Sequence, residues 1–377
     1  MSKHRVENRL AEIRKSRGVA AAELANGVGV TRQTIYAIEA GTYLPNTELA
    51  LLLAQVLEVS VDQLFSLALD SPHATESLSV QVLSPSQDHG QITKGQPMRI
   101  CQVGSQWVGV PVSATPYYMP EADGVIDRTT NTSTKLSIFS KDNAAQERLV
   151  IAGCDPATSL LSHMVERASG VEIVSAAASS KLALTWLKQG KVHVAGSHLE
   201  DPRTGEFNLP YIRQQFPKQD MLVVTFARWE EGFVVAKANP KRIRKTEDLA
   251  RRGVRMVNRE PGSGSRALLE KLLTGAGIAA EKVQGFRQVA YGHLAAAYCV
   301  VAGEVDVCLA TRSAAQTFHL DFVPLHSARY DMVMHQATAE LPSVKVFMDV
   351  LQRATLRRKL EILAGYDTTL TGSLLAA

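Results

Sequence analysis

SSKLALTWLKQGKVHVAG at residues 179–196 and GHLAAAYCVVAGEVDVCL at residues 292–309 align without a gap once Ser180 is set against His293. Ala183 then meets Ala296, Gly190 meets Gly303, Val192 meets Val305 and Val194 meets Val307. Each copy reads as an amphipathic helix, a glycine that stops it, and a short buried strand. A β-loop-α unit precedes each one: LVIAGCDPATSLLSHMV at 149–165 and VRMVNREPGSGSRALLEKL at 254–272. Strand and helix patterns alternate from residue 149 to 377, the signature of an α/β domain. Two similar α/β lobes in one chain imply a cleft between them.

Upstream, the composition changes twice. Residues 70 to 150 carry SPHATES, LSPSQDHG and DRTTNTSTK between short β-rich runs such as MRICQVGSQWVGVPV. Period-two alternation around Ile100, Val103, Trp107 and Val110 predicts hairpin strands, so residues 69–148 read as a linker and small β-rich connector. Residues 1–68 are helical in pattern and hold one proline, Pro45, in a turn that starts at Gly41. A length of 377 residues fits two or three domains. With 45% apolar and 21% charged residues, a disordered or fibrous chain is excluded. No run approaches the roughly 18 apolar residues of a membrane span, and MSKHRVENRL lacks the apolar core of a signal peptide. A soluble, cytoplasmic protein is expected. The cysteines (Cys101, Cys154, Cys299, Cys308) form no C-x-x-C pair, so neither a structural zinc site, nor any other metal site, nor a disulfide framework is expected. A net charge of +4 and a pI near 8.8 suit one nucleic-acid-facing patch.

Within the helical zone, a first helix is predicted over residues 4–17, with Leu10 and Ile13 on one face and Gly18 as its stop. VAAAELANGVGVTRQTIYAIEAG follows as two helices about a Gly27–Val30 turn, with Thr31 as N-cap and Gly41 as stop. Ile35 and Ile38 face inward, which leaves Arg32, Gln33, Thr34 and Tyr36 outward. LALLLAQVL and VDQLF complete an all-α, five-helix domain. Glu23-Leu24-Ala25, Gly29-Val30, Thr31 to Ile35, Ile38-Glu39, Gly41 and Leu44-Pro45 together resemble the Cro/C1-type (xenobiotic-response-element, or XRE, family) helix-turn-helix over about residues 5–66. The resemblance implies that the helix from Thr31 enters the major groove of an operator. Thr31, Arg32, Gln33, Thr34 and Tyr36 would face DNA, with Arg32 and Gln33 able to make bidentate contacts to a purine. It also implies an internal Arg14–Glu39 ion pair, and binding of double-stranded DNA as a homodimer on a two-fold site. One departure stands out: the family usually places a phosphate-binding glutamine near the start of the second helix, where this chain has Ala20, Ala21 and Ala22.

In the α/β region, polar loops fall where strands give way to helices. They are Gly153-Cys154-Asp155-Pro156, Ser179-Ser180, Asn258 to Arg266, and Tyr291-Gly292-His293. Ligands of open α/β sheets bind outside the carboxyl ends of the strands, and free N–H groups at a helix start favour an anion. The candidate ligand residues are Asp155, Ser179, Ser180, Arg259, Gly262, Ser263, Gly264, Ser265, Arg266, Tyr291 and His293. Simpler roles compete: Ser179 and Asp155 can cap their own helices, and Arg266 can be a solvated side chain. His193 and His198 read as strand and turn residues, with no third metal ligand in sight. AGCDPA, HVAGSHLED, VNREPGSGSRALL and DFVPL resemble the type II periplasmic-binding-protein-like, molybdate-binding-like family in its cytoplasmic form fused to a helix-turn-helix. That family implies a two-lobed α/β domain over 149–377, with lobe I at 149–239 and 326–377 and lobe II at 240–325. Crossovers are expected near Phe233–Asn239 and Phe322–Tyr330. The implied effector is an oxyanion such as molybdate or tungstate, although Asp155 and Glu260 raise the cost of holding a dianion.

These readings combine into a ligand-responsive, one-component transcription regulator with no catalytic residues and no cofactor beyond its effector. Two rivals stand beside it. One is an enzyme acting on the cleft ligand while its helix-turn-helix regulates its own gene; the other is a constitutive DNA-binding protein whose α/β domain holds no ligand. Against the enzyme, the sequence has no G-x-S-x-G, no H-E-x-x-H and no P-loop.

Overall fold

Apolar residues three and four apart build the first helices, and their shared face becomes a core. α1 (Leu10–Ser16), α2 (Ala21–Gly27), α3 (Arg32–Glu39), α4 (Thr47–Val56) and α5 (Val61–Leu64) bury Leu10, Leu24, Ile35, Ile38, Leu53, Leu57 and Leu64 together. Side chains cap the helix starts: Thr31 Oγ1 accepts from Thr34 N at 3.1 Å, and Asn46 Oδ1 accepts from Leu49 N at 2.8 Å. The computed structural model describes residues 6–67, 76–85, 92–112, 119–130, 133–139, 144–217 and 220–375. The chain divides into two compact units, Met1–Thr75 and Glu76–Ala377.

The helix expected over residues 4–17 starts only at Leu10. Val6–Asn8 instead forms β1, which pairs antiparallel with β2 (Phe65–Leu67) at the far end of the unit. Asn8 makes the change of conformation by accepting from Leu10 N through Oδ1 at 2.9 Å. A ladder partner more than fifty residues away leaves no local signal, so the pattern of 4–17 alone extends the helix too far.

The second unit begins with β3 (Glu76–Val82), β4 (Pro97–Val103), β5 (Gln106–Pro111), β6 (Gly124–Thr129) and β7 (Thr134–Ile138), closed into a barrel in the order β3-β5-β4-β6-β7. β4 and β5 form the hairpin that the alternation predicts. The linker expected from residue 69 lies partly outside the described residues. The barrel is more than a connector. Leu83, Cys101, Val108 and Val110 share one core with Val150, Ala152, Val174 and Leu187 of the α/β region. Buried Arg148 adds a polar clamp, donating to Asp123 Oδ2 and Oδ1 at 2.8 and 3.0 Å and to Glu172 Oε2 at 2.7 Å.

After α6 (Ala144–Glu147), the described residues build a mixed sheet of nine strands. They are β8 (Leu149–Gly153), β9 (Ile173–Ala177), β10 (Val194–Ser197), β11 (Met221–Val235), β12 (Met256–Arg259), β13 (Val289–Ala290), β14 (Val307–Thr311), β15 (Asp321–His335) and β16 (Leu374–Leu375). The order is β13-β12-β14-β11-β15-β10-β8-β9, with β16 paired to β11. α7 (Thr158–Ser169), α8 (Ser180–Lys188), α9 (Leu209–Gln215), α10 (Gly264–Gly275) and α11 (His293–Val301) are among the helices that cover it. The aligned sequence copies are α8 with β10 and α11 with β14. Gly190 and Gly303 end the helices at φ +67° and +71°, a conformation that favours glycine.

β11 and β15, each of 15 residues, run antiparallel through both halves of the sheet. At Ser197↔Asp331 the pairing belongs to the half with β8 and β10; at Glu231↔Thr311 it belongs to the half with β12 and β14. The first passage was expected near Phe233–Asn239, but Phe233–Val235 already pairs with β14, so the chain crosses earlier, within residues 226–230. An apolar run such as FVVA buries equally well in either half, and only the pairing partner tells them apart.

Candidate functional site

α3 presents one polar face. Arg32, Gln33 and Tyr36 are exposed while Ile35 and Ile38 are fully buried, so this face is held out rigidly by its own core. The Arg32 guanidinium lies 5.2 Å from the centre of the Tyr36 ring and donates to Tyr36 Oη at 2.8 Å. Arg14 donates to Glu39 Oε1 at 2.5 Å and Oε2 at 3.2 Å, the internal pair that the resemblance implies. At the start of α2, Ala20 N donates to Glu23 Oε2 at 3.4 Å.

The second unit holds a cavity of about 240 Å³ at the carboxyl ends of β8 and β9 and at the N-terminus of α11. Cys154, Asp155, Glu260, Tyr291 and His293 are in its wall. Behind them stands a buried polar cluster. Cys154 Sγ is 3.5 Å from His198 Nε2 and 3.7 Å from His293 Nε2. His198 Nδ1 lies 3.3 Å from Glu231 Oε1, which accepts from Ser265 Oγ at 2.9 Å. Arg259 donates twice to Glu260, each time at 2.8 Å, while its Nη1 has no hydrogen-bond partner among the described residues. The His198 and His293 rings pack against Trp229, at centroid distances of 5.3 and 5.9 Å.

Close approach explains the glycines here. A Cβ on Gly264 would fall 2.6 Å from the His198 ring, and one on Gly196 would fall 1.8 Å from Tyr330 Oη.

Desolvation sets the charge states. Burial pushes the Cys154 thiol up to about 12 although Arg259 pulls the other way, so it is not an activated nucleophile. Burial lowers His198 to about 3 and holds His293 well below the usual imidazole range, which keeps both rings neutral with a lone pair each. Burial likewise raises Asp155 and Glu231 to about 7 each. The His198–Glu231 contact therefore joins two groups that are both driven towards their neutral forms. Burial also opposes ionisation of Glu260, but the charge of Arg259 and its two hydrogen bonds keep that carboxyl below its ordinary value.

The predicted ligand residues separate into those that reach the cavity and those that do not. Asp155, Tyr291 and His293 line it. Asp155 also takes the capping role, accepting from Ala157 N at 2.6 Å and from Tyr366 Oη at 2.9 Å through Oδ1. Ser179 caps α8, Ser180 Oγ accepts from His198 N at 3.2 Å, and both are buried outside the wall of the cavity. Ser263 caps α10, Ser265 serves Glu231, and Gly262 O accepts from Lys181 N at 3.3 Å. Arg266 faces elsewhere, pairing with Glu270 at 2.9 Å and stacking on Phe286. His193 Nδ1 accepts from Val150 N at 3.0 Å, a strand role as expected. His198 has a further neighbourhood that its place in the sequence does not announce. Cys154, His198 and His293 converge as a metal-ligand-like triad whose donor atoms lie within 4.8 Å of one another. Their positions in the chain are 44 and 139 residues apart from Cys154, so no spacing motif could reveal them.

A helical unit with an exposed polar helix face, followed by an α/β unit with a polar cavity at its strand ends, is the architecture of a helix-turn-helix domain with a binding-protein-like domain. Comparison with known proteins gives the family. The chain belongs to the PBP superfamily domain family, whose model matches residues 161–352, and a helix-turn-helix model matches residues 10–64. The chain is similar to the uncharacterized protein YvgK of Bacillus subtilis, with 31% identity over 227 residues, 60% of this chain and 73% of that protein. Its first unit is similar to the uncharacterized HTH-type transcriptional regulator YgzD of Bacillus subtilis, with 37% identity over 60 residues, 16% of this chain and 91% of that protein. Among solved structures, the sulfate-binding protein SubI of Mycobacterium tuberculosis aligns at a TM-score of 0.45 and 16% identity, covering 58% of this chain and 85% of that one. No described helix is long and apolar enough to cross a membrane.

Proposed function

We propose that this protein is a one-component, ligand-responsive transcription regulator that binds its operator as a homodimer. α3 enters the major groove, with Arg32 and Gln33 on base edges and Thr31, Thr34 and Tyr36 beside them. The second unit works as two lobes hinged where β11 and β15 pass between the halves of the sheet, and a small effector occupies the 240 Å³ cavity. The effector controls DNA binding by preferring one of two states of the chain; equal affinity for both would shift nothing.

The observation that carries this reading is the cavity itself. Its wall brings together Asp155, Glu260, Tyr291 and His293 from three separate loops, more polar groups than a packing defect would leave. The oxyanion implied by resemblance finds weak support here. Asp155 and Glu260 face the cavity, and Arg259 is already committed to Glu260. A bare molybdate dianion would meet these carboxylates with no Lys or Arg among the described lining residues, the unpartnered Arg259 Nη1 lying outside that lining, so an effector with a cationic or metal-seeking group fits better.

A thermal-shift screen of the full chain against molybdate, tungstate, sulfate, phosphate and a metabolite panel tests this. A ligand at 100 times its dissociation constant adds about 2.7 kcal/mol. Any hit should change operator affinity in a gel-shift assay. Operator binding that no stabilising ligand alters would refute the regulatory reading.

A further inference from the structure

We infer that Cys154, His198 and His293 form a binding site for a thiophilic transition-metal ion of the Zn2+ class, with its fourth coordination position open to the cavity. The inference builds on the cavity as effector site and supplies the chemistry that would anchor the effector. Its first support is geometric. A tetrahedral zinc with a sulfur at about 2.3 Å and a nitrogen at about 2.05 Å separates the two donors by about 3.6 Å. The sulfur-to-nitrogen distances here are 3.5 and 3.7 Å. One thiolate and two imidazoles are a donor set that suits zinc and excludes magnesium and calcium, which require oxygen.

The second support is charge. Three carboxylates, Asp155, Glu231 and Glu260, and one guanidinium, Arg259, act electrostatically on the Cys154 sulfur. With Asp155 and Glu231 driven towards their neutral forms and Glu260 paired to Arg259, the cluster holds no net positive charge that would oppose a divalent cation. The third is orientation. Metal-bound histidines characteristically present their second ring nitrogen to a carboxylate or carbonyl, and Glu231 Oε1 stands 3.3 Å from His198 Nδ1. Ser265 in turn holds Glu231, while His293 Nδ1 has no hydrogen-bond partner among the described residues.

On binding, the Cys154 S–H proton leaves to solvent as the S–Zn bond forms, and both imidazoles bind in their neutral form. Cys154 and His293 line the cavity, so the remaining position faces a water or a donor atom of the effector. An anionic effector repelled by Asp155 and Glu260 would then find its counter-charge in the metal.

The test is titration of the tag-free full chain with Zn2+ alone and with Co2+ as a spectroscopic substitute. The expected result is one ion per chain, with the ligand-field bands of tetrahedral cobalt and a thiolate-to-cobalt charge-transfer band. Cys154→Ser should abolish that charge-transfer band, and His293→Gln should weaken zinc binding by more than the roughly 10–100-fold typical of losing an outer partner. Glu231→Gln, which keeps all three ligands, should fall within that 10–100-fold range. Circular dichroism of each variant guards against misfolding. Absence of one-to-one binding, or a charge-transfer band that survives in Cys154→Ser, would overturn the site. Operator affinity measured on the same samples separates the two readings. A metabolite response without zinc binding overturns the metal site and leaves the regulator. Zinc bound at the cluster with operator affinity insensitive to zinc and to every stabilising ligand supports the metal site and overturns the regulator.

Discussion

The two units place their polar chemistry in opposite ways. In the first, Arg32, Gln33 and Tyr36 stand exposed on one helix within five consecutive positions. In the second, Cys154, His198, Glu231, Arg259 and His293 come from five separate segments, and all but Cys154 are almost wholly buried. The first arrangement reads an external surface and costs the fold little. The second requires desolvated charges to be matched among themselves, so the site and the stability of the unit are one problem.

The largest expected effect comes from breaking that match. Arg259→Ala strands Glu260 in a buried site and should cost about 3–5 kcal/mol. All three tryptophans, Trp107, Trp186 and Trp229, lie in the second unit, so their fluorescence in a denaturant titration reports on it alone. A loss below about 1 kcal/mol would mean that water reaches the pair, and the contrast drawn here would collapse.

Next comes the exposed face. Arg32→Ala or Gln33→Ala should weaken operator binding by about 1–3 kcal/mol while the far-ultraviolet circular dichroism of the helical unit stays unchanged. Unchanged affinity in both variants would remove α3 from the groove.

The smallest effect sharpens the comparison within the first unit. Thr31→Ala removes the cap on α3 and should destabilise that unit by about 1 kcal/mol, read by far-ultraviolet circular dichroism. It should weaken operator binding less than Arg32→Ala does. A larger loss of binding than of stability would make the Thr31 hydroxyl a DNA contact in its own right.

Legibility followed the same division. The helix-turn-helix was readable because its caps and its Ile35–Ile38 face are local, and even Arg14–Glu39 follows from a continuous motif. Val6–Asn8 was misread because its strand partner lies at Phe65–Leu67. In the α/β unit, the loop at Asn258–Arg266 was recognisable from its glycines. The roles within it were not: Ser265 turns to Glu231 and Arg266 to Glu270, away from the cavity. His198 looked like a turn residue because nothing in its neighbourhood announces Cys154 or His293.

What the chain's sequence determines by itself is the inventory: helical and alternating periods, caps, glycine stops and the duplicated helix-strand unit. These rest on interactions within a few residues, where spacing alone carries the information. Which half of the sheet a strand joins, how the barrel shares the α/β core, and which sulfur meets which imidazole were decided only by the tertiary structure. Such contacts depend on three-dimensional closure between segments that can be more than a hundred residues apart, and burial then fixes the charge states of whatever it has brought together.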